Sequence, residues 1–327
     1  MNVFNAQRKF LKATLTALLL SNFLSAQVIN DLEKFTIEAS EGKKSIYDFS
    51  TDEIYERLKE QGIVLLRGFD VSTRDFLTFS NQFPDTFLPY QGGSVRPNVD
   101  GDPTAIIITE KDGNHSVYFH GEQYYQKIRA TTFWMYAFVP PVADGATLLC
   151  DGRELYTRLP EEIKQLFMDK KIKYSRCFPL AQWQKIYQVT SEEELEPILN
   201  KQLINYFIDE ESNLHTTYIT EAIQQEKWGN SPIFINNALE ILEDMQEMHP
   251  KHNLEKTKET ICVTFEDDTE IPREVIEQIQ QIIAEIKMAV RWQKKDILIF
   301  DNTRILHARE GFPEGSPREL VSRLSIH

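Results

Sequence analysis

Of the seven histidines in this chain, His120 stands apart because Glu122 follows two positions later, directly after the apolar stretch Val117-Tyr118-Phe119. In extended backbone, residues two apart project from the same side, so an imidazole and a carboxylate at that spacing can converge on one metal ion. A His-x-Glu pair is a weak signal by itself, since it arises by chance in many proteins. A distant second histidine changes its meaning. His307 follows the apolar run Ile297-Leu298-Ile299-Phe300 and the turn Asp301-Asn302-Thr303-Arg304. Two histidines and one carboxylate on one face of an ion leave the other positions to a co-substrate and dioxygen, the donor set of non-haem iron(II) oxygenases. Downstream, Arg318 offers a guanidinium suited to a bidentate grip on a carboxylate. His115, His215, His249 and His252 have no acidic or histidine partner at metal spacing and read as structural or surface residues.

Such a constellation needs rigid elements behind it. Ser50-Thr51-Asp52-Glu53 is a capping box opening a helix that carries Ile54 and Leu58 and closes at Gly62. Ile63-Val64-Leu65-Leu66 reads as a buried strand, and Ser72-Thr73-Arg74-Asp75 caps a second helix reaching about Phe83. Short β-branched and apolar runs at Ala105 to Thr109, Ser116 to Phe119, Thr131 to Phe138 and Thr147 to Cys150 are separated by Gly, Pro, Asp or Asn, which predicts an antiparallel barrel or jelly roll. A helix over Pro160 to Lys170 and a strand over Ile172 to Arg176 follow. Residues 178–260 are polar, helix-prone and studded with aromatics without a period-two pattern, and read as a helical insertion over one mouth of the barrel. Ile271 to Val290 predicts one amphipathic helix with Val275, Ile279, Ile282, Ile286 and Ala289 along its apolar stripe. Asp296 to Asn302 is a turn and buried strand, and Leu320 to Ile326 the last strand.

The stretches Leu66-Arg67-Gly68-Phe69, His120-Gly121-Glu122, Gly145-Ala146-Thr147 and Phe300-Asp301-Asn302-Thr303-Arg304-Ile305-Leu306-His307-Ala308-Arg309, in this order, resemble the taurine dioxygenase (TauD/TfdA) superfamily of Fe(II)/2-oxoglutarate-dependent oxygenases. Glu in place of the commoner Asp, with Gln-Tyr-Tyr after it, is most similar to the clavaminate synthase-like and SyrP-like branch. The resemblance covers about residues 45–180 and 260–327. It implies a mainly β fold with flanking helices (α+β), a double-stranded β-helix or jelly roll with the metal at its open end. It further implies Fe(II) held by His120, Glu122 and His307, dioxygen as oxidant, and 2-oxoglutarate bound by Arg318 and Thr147, eleven residues beyond His307 and twenty-seven beyond His120 respectively. One departure concerns a second C-terminal arginine of the family, whose place Ser322 takes, with Arg323 one further on. A shift of one residue in a strand turns the side chain to the other face, so either a bulge restores Arg323 to the pocket or that substrate contact is absent. Arg96, in Tyr90-Gln91-Gly92-Gly93-Ser94-Val95-Arg96-Pro97, is the stronger expectation for a substrate carboxylate, because two glycines permit a sharp loop and Pro97 keeps Arg96 extended.

Composition bounds the partners. A formal net charge of −14 argues against nucleic acid, whose binding depends on Lys and Arg displacing counterions. Cys150, Cys177 and Cys262 are too few and too scattered for a disulfide framework or a zinc ribbon. Residues 1–30 form a signal-like or flexible segment: Arg8, Lys9 and Lys12 precede an apolar run from Ala13 to Ala26, diluted by Thr14, Thr16, Ser21 and Asn22. A cytoplasmic enzyme is expected, with export as the alternative if residues 1–26 act as a signal peptide. No unbroken apolar stretch is long enough to span a bilayer. Residues 31–327 are expected to form one dioxygenase domain with the insertion at about 178–260.

The resemblance implies oxidative decarboxylation of 2-oxoglutarate to succinate and carbon dioxide, coupled to attack on an unactivated C–H bond. The expected outcome is hydroxylation of an amino acid or small amino-acid derivative, free or carried on a peptide synthetase. Desaturation or cyclisation by the same cofactor chemistry, and a non-catalytic metabolite-binding jelly roll, are the alternatives. A zinc hydrolase would need a general base beside the three ligands and would leave Arg318 and Thr147 unexplained.

Overall fold

The computed structural model describes residues 32–90, 96–109, 113, 115–247 and 260–327, so the signal-like segment expected over residues 1–30 lies outside the described residues. Local signals at the start of the chain act as their chemistry requires. Ser50 Oγ accepts the Glu53 N–H at the head of helix α1 (Thr51–Gln61), and Gly62, at φ 78°, closes it with an N–H to Leu58 O. Before it lie strand β1 (Thr36–Glu38) and a 3-10 turn; after it come β2 (Ile63–Arg67) and α2 (Thr73–Ser80), capped reciprocally by Ser72 and Asp75.

Strands β3 (Thr86–Leu88), β4 (Asn98–Val99), β5 (Asp102–Thr109), β6 (Val117–His120), β7 (Thr132–Val139) and β8 (Thr147–Asp151) lead to helices α3 (Gly152–Arg158) and α4 (Glu161–Asp169). Next are β9 (Ile172–Phe178), α5 (Leu180–Tyr187), α6 (Glu192–Lys201), β10 (Asn205–Ile208), β11 (Leu214–Thr220), β12 (Ile223–Gln225), β13 (Pro232–Phe234), α7 (Ala238–Glu247) and β14 (Thr260–Phe265). The chain ends with α8 (Arg273–Ile286), β15 (Met288–Val290), β16 (Ile297–Asp301), β17 (Ile305–Arg309) and β18 (Glu319–Ile326).

Two sheets make the roll. The larger has the order β1-β2-β16-β7-β18-β5-β4, with β3 also paired to β18, and the smaller has the order β15-β8-β17-β6. Strand alternation assigns the layers. Leu65, Phe133, Met135, Leu298, Phe300, Leu320 and Leu324 point inward and pack with Leu149 and Val290 of the smaller sheet. Their neighbours Val64, Leu66, Trp134, Tyr136, Ile297, Ile299 and Val321 point outward onto Ile54, Leu58, Phe76 and Phe79 of α1 and α2. Because both faces are covered, these strands read as continuous apolar runs. The result is the jelly roll expected from the motif order.

The structure departs from the expected elements in two places. The insertion over residues 178–260 carries the expected helices, α5, α6 and α7, but strands as well: β10 and β11 join the flanking β9 and β14 in a four-stranded sheet, and β12 pairs with β13. In β11, Leu214, Thr216, Tyr218 and Thr220 are buried while the residues between them are not, so the period of two is real but half of it is written in threonine. The helix expected over Ile271 to Val290 stops at Ile286, and Met288–Val290 pairs instead with Thr147–Leu149 of β8. Its buried stripe is Ile276, Ile279 and Ile283, with Val275, Ile282 and Ile286 only partly buried. Among the described residues no helix is long and apolar enough to cross a membrane.

Candidate metal centre and co-substrate pocket

β6 and β17 are antiparallel neighbours whose register sets His307 opposite His120. The two imidazole centroids lie 4.2 Å apart. His120 Nδ1 is 2.8 Å from the Tyr118 carbonyl, which fixes the tautomer with the proton on Nδ1 and leaves the Nε2 lone pair for a metal. His307 is oriented differently. Its ring packs against the stacked pair Phe133 and Phe300, at centroid distances of 5.0 and 5.3 Å, and its Nδ1 is buried without a hydrogen-bond partner among the described residues. Packing therefore sets its orientation.

Glu122 reaches the site by a route that strand pleating does not supply. β6 ends at His120, and the next residues turn away. Asn302 clamps that turn: its Oδ1 accepts the Glu122 N–H at 2.8 Å and its Nδ2 donates to the Glu122 carbonyl at 3.0 Å and to Ala130 O at 2.8 Å. From the other side the Gly121 N–H donates to Asn236 O at 3.0 Å, and the Tyr124 N–H to Asn237 Oδ1 at 2.8 Å. Gly121 admits this approach because a Cβ there would lie 2.5 Å from the Tyr124 ring and 2.8 Å from Ile235. The outcome is one ligand atom from each of His120, Glu122 and His307 within 4.8 Å of one another, with His307 Nε2 3.7 Å from Glu122 Oε2.

The chemistry of these donors fits a divalent cation. Burial holds the His307 imidazole well below its usual pKa, reinforced by the His120 charge, so it stays in the neutral form that a metal requires. Burial also pushes the Glu122 carboxyl up, with His120 and Arg96 opposing and Glu240 adding to that shift, and a bound cation would favour its charged form.

Beside this trio stands the second expected pair. Arg318, buried, donates from Nε to Gly145 O at 3.2 Å and approaches Thr147 Oγ1 with a terminal nitrogen at 3.5 Å. Trp292 Nε1 donates to the same Thr147 oxygen at 3.0 Å. With the hydroxyl oxygen accepting these donors, its hydrogen is left to point at an acceptor in the cavity. Gly145 makes the turn before β8 at φ 65°, a conformation that suits glycine.

All five residues line one cavity of about 360 Å³. The family model described as "Taurine catabolism dioxygenase TauD, TfdA family" matches residues 33–324, nearly the whole chain. The chain belongs to this family. Among characterised relatives, the dapdiamide synthesis protein DdaC of Enterobacter agglomerans is 27% identical over 84% of this chain and 86% of its own. A clavaminate synthase-like protein of Arabidopsis thaliana is 25% identical over 82% of each. The fold is shared with PvcB of Pseudomonas aeruginosa, at TM-score 0.54 and 13% identity over 89% of this chain and 85% of that one. It is shared as well with AAD-2, solved with Mn(II) and N-oxalylglycine, at TM-score 0.55 and 12% identity over 90% and 94%.

As a TauD/TfdA-family dioxygenase, the protein places the two candidate substrate arginines apart. Arg96 lines the cavity, whereas Gln91 to Val95 of its expected loop lie outside the described residues. Arg323 does not line it. The bulge in β18 falls between Glu319 and Leu320, not between Ser322 and Arg323, so Ser322 faces the cavity and Arg323 the opposite face. There Arg323 donates to Ser80 Oγ at 2.6 Å, Asn81 Oδ1 at 2.8 Å and Thr104 Oγ1 at 2.9 Å, and covers the Phe87 ring. It joins α2 to the large sheet, and its expected place in the substrate pocket is not met.

Sequence reasoning placed an insertion over one mouth of the barrel but marked none of the residues there, or in the adjoining strands, that line the cavity. Arg176, Asn237, Glu240, Ile241 and Ile261 all line the cavity, together with Tyr90 and Tyr125. Burial, the largest cause, pushes both phenols up, so they remain O–H donors. Asn236-Asn237 ahead of an apolar helix was a legible capping signal, but its partners were not. Asn302 was read as a turn former, and the turn it forms is only half of its work. Arg304, beside it, pairs with Asp151 through Nε and a terminal nitrogen at 2.5 to 3.2 Å, and so pins the loop before β17 to the end of β8.

Proposed function

We propose that this dioxygenase hydroxylates an amino acid or a small amino-acid derivative, with conversion of 2-oxoglutarate to succinate and carbon dioxide. The observation that carries the reading is the presence, in one cavity, of three convergent ligand atoms and a buried Arg318–Thr147 pair. Fe(II), 2-oxoglutarate and dioxygen are its cofactors, and the bound iron and keto acid supply the oxidising chemistry. His120, Glu122 and His307 hold the metal on one face. Arg318 pairs with the far carboxylate of 2-oxoglutarate, and Thr147 donates its hydroxyl hydrogen to the same group. Ile106, Ile108, Met135 and Leu324 give the cavity an apolar lining that limits water.

Size favours a small substrate. A cavity of about 360 Å³ is at the low end for ligand sites, roughly 300–1,000 Å³, and the co-substrate takes part of it. DdaC is named for dapdiamide synthesis, and PvcB is described as an Fe, alpha-ketoglutarate dependent oxygenase from an isonitrile synthetic pathway, which supports a role in small-molecule biosynthesis. Arg96 is the proposed partner of a substrate carboxylate. The substrate enters free or on a carrier arm, and a cytosolic supply of 2-oxoglutarate suits the enzyme.

The test is anaerobic reconstitution with Fe(II) and 2-oxoglutarate, then admission of oxygen over a panel of metabolites. The expected result is a visible charge-transfer band and succinate release stimulated by one substrate class. Absence of both the band and any succinate would defeat the proposal.

A further inference from the structure

One carboxylate in the cavity has no task in the metal site or the co-substrate pocket. Glu240, near the start of α7, faces the cavity with its side chain 24% exposed. One of its oxygens, Oε2, accepts from Asn237 Nδ2 at 3.0 Å, so the group is aimed by the residue that also holds the Tyr124 N–H. Glu240 lies 3.7 Å from His120 Nδ1, beyond hydrogen-bond range, and the proton on that nitrogen goes to Tyr118 O at 2.8 Å. Orienting the histidine is therefore the task of Tyr118. Among the described residues no Lys or Arg forms an ion pair with Glu240.

A partly buried carboxylate close to a second one, Glu122, is unfavourable unless cations answer both. A metal held by His120, Glu122 and His307 would answer Glu122. Two residues of the opposite charge line the same cavity: Arg96, just ahead of β4, and Arg176 of β9, its guanidinium over the Tyr125 and Phe178 rings at 4.8 and 4.4 Å. Beyond the metal and co-substrate residues the cavity thus offers guanidinium and carboxylate groups together, with phenol donors from Tyr90 and Tyr125.

We infer that the substrate carries an unblocked ammonium group, held by Glu240, as well as a carboxylate held on the arginine side: a free amino acid rather than an N-acylated one. The inference rests on the function proposed above and names the charge pattern of its substrate. Glu240 is a specificity residue in this scheme and takes no part in holding the metal.

The experiment uses the full-length protein loaded with Mn(II) and N-oxalylglycine, so that binding is read without turnover. Calorimetric titration with the free protein amino acids is followed by the N-acetyl form of the tightest binder. At least one free amino acid is expected to bind, its N-acetyl form about tenfold or more weaker, as loss of a charge-assisted contact implies. Glu240→Gln is expected to weaken the free amino acid by a similar factor and to leave the N-acetyl form and the Mn(II) affinity unchanged. The inference is overturned if Mn(II) and N-oxalylglycine bind but no free amino acid does, or if acetylation makes no difference. It is equally overturned if Glu240→Gln leaves amino acid binding intact or acts by lowering Mn(II) affinity. Failure of Mn(II) and N-oxalylglycine to bind at all would instead count against the proposed function.

Discussion

On the metal side of the cavity, His120 and His307 face each other across a β ladder, and Glu122 is clamped through its own backbone by Asn302. On the far side, Arg176, Asn237, Glu240 and Ile261 come from a separate sheet and a helix that dock onto the roll through Asn236 and Asn237. A ladder fixes side chains to one register, and a slip of one residue would turn both histidines away. A docked helix and sheet can exchange residues without disturbing that ladder. Under the proposed function the metal belongs to the register-fixed wall, and Glu240, the proposed partner of a substrate ammonium group, to the docked one.

The sharpest way to break this comparison is to remove a ligand. His120→Ala, Glu122→Ala and His307→Ala should each bring turnover below detection and abolish the charge-transfer band of the iron–2-oxoglutarate complex, with the far-ultraviolet circular dichroism unchanged. Full activity with the band retained in Glu122→Ala would remove that residue from the site.

Asn302→Ala tests whether the backbone clamp matters as much as the donor it holds. It should lower Mn(II) affinity about 10- to 100-fold, the usual range for residues that orient ligands. Unchanged affinity would mean that the turn holds itself.

Arg318→Ala should raise the 2-oxoglutarate KM about 10- to 100-fold and Thr147→Ala only several-fold, since hydrogen bonds to charged groups contribute about 1.5–3 kcal/mol and neutral ones about 1 kcal/mol. Equal, unchanged values would move the co-substrate anchor elsewhere.

For the two arginines considered as substrate partners the effects should be selective rather than large. Arg96→Ala should raise the KM for the substrate markedly and leave that for 2-oxoglutarate nearly as it was; the reverse pattern would place Arg96 with the co-substrate. Arg323→Ala should change neither KM, although loss of its bonds to Ser80, Asn81 and Thr104 should cost about 2–4 kcal/mol in stability, read as a lower unfolding midpoint. A substrate KM effect from Arg323→Ala would contradict the face it occupies.

Local rules made much of this protein legible. Ser50, Gly62, Ser72 and Asp75 act within one turn of a helix end, so their residue types alone determined α1 and α2. The apolar runs at Ile63 to Leu66 and Ile297 to Phe300 could be read as strands because burial on both faces leaves no polar alternation. The residue types and order of His120, Glu122, His307, Thr147 and Arg318 pointed to the metal and co-substrate chemistry before any coordinates. Tertiary structure alone decided the rest. That Glu122 arrives by a clamped turn depends on Asn302, 180 residues away along the chain. That Arg323 serves the fold depends on where the bulge in β18 falls. That β11 is a strand depends on a one-sided burial which its threonines conceal. Arg176 and Glu240 carry no local mark at all, because sequence patterns record the period of an element and the chemistry at its ends, whereas the wall of a cavity is made where separate elements meet.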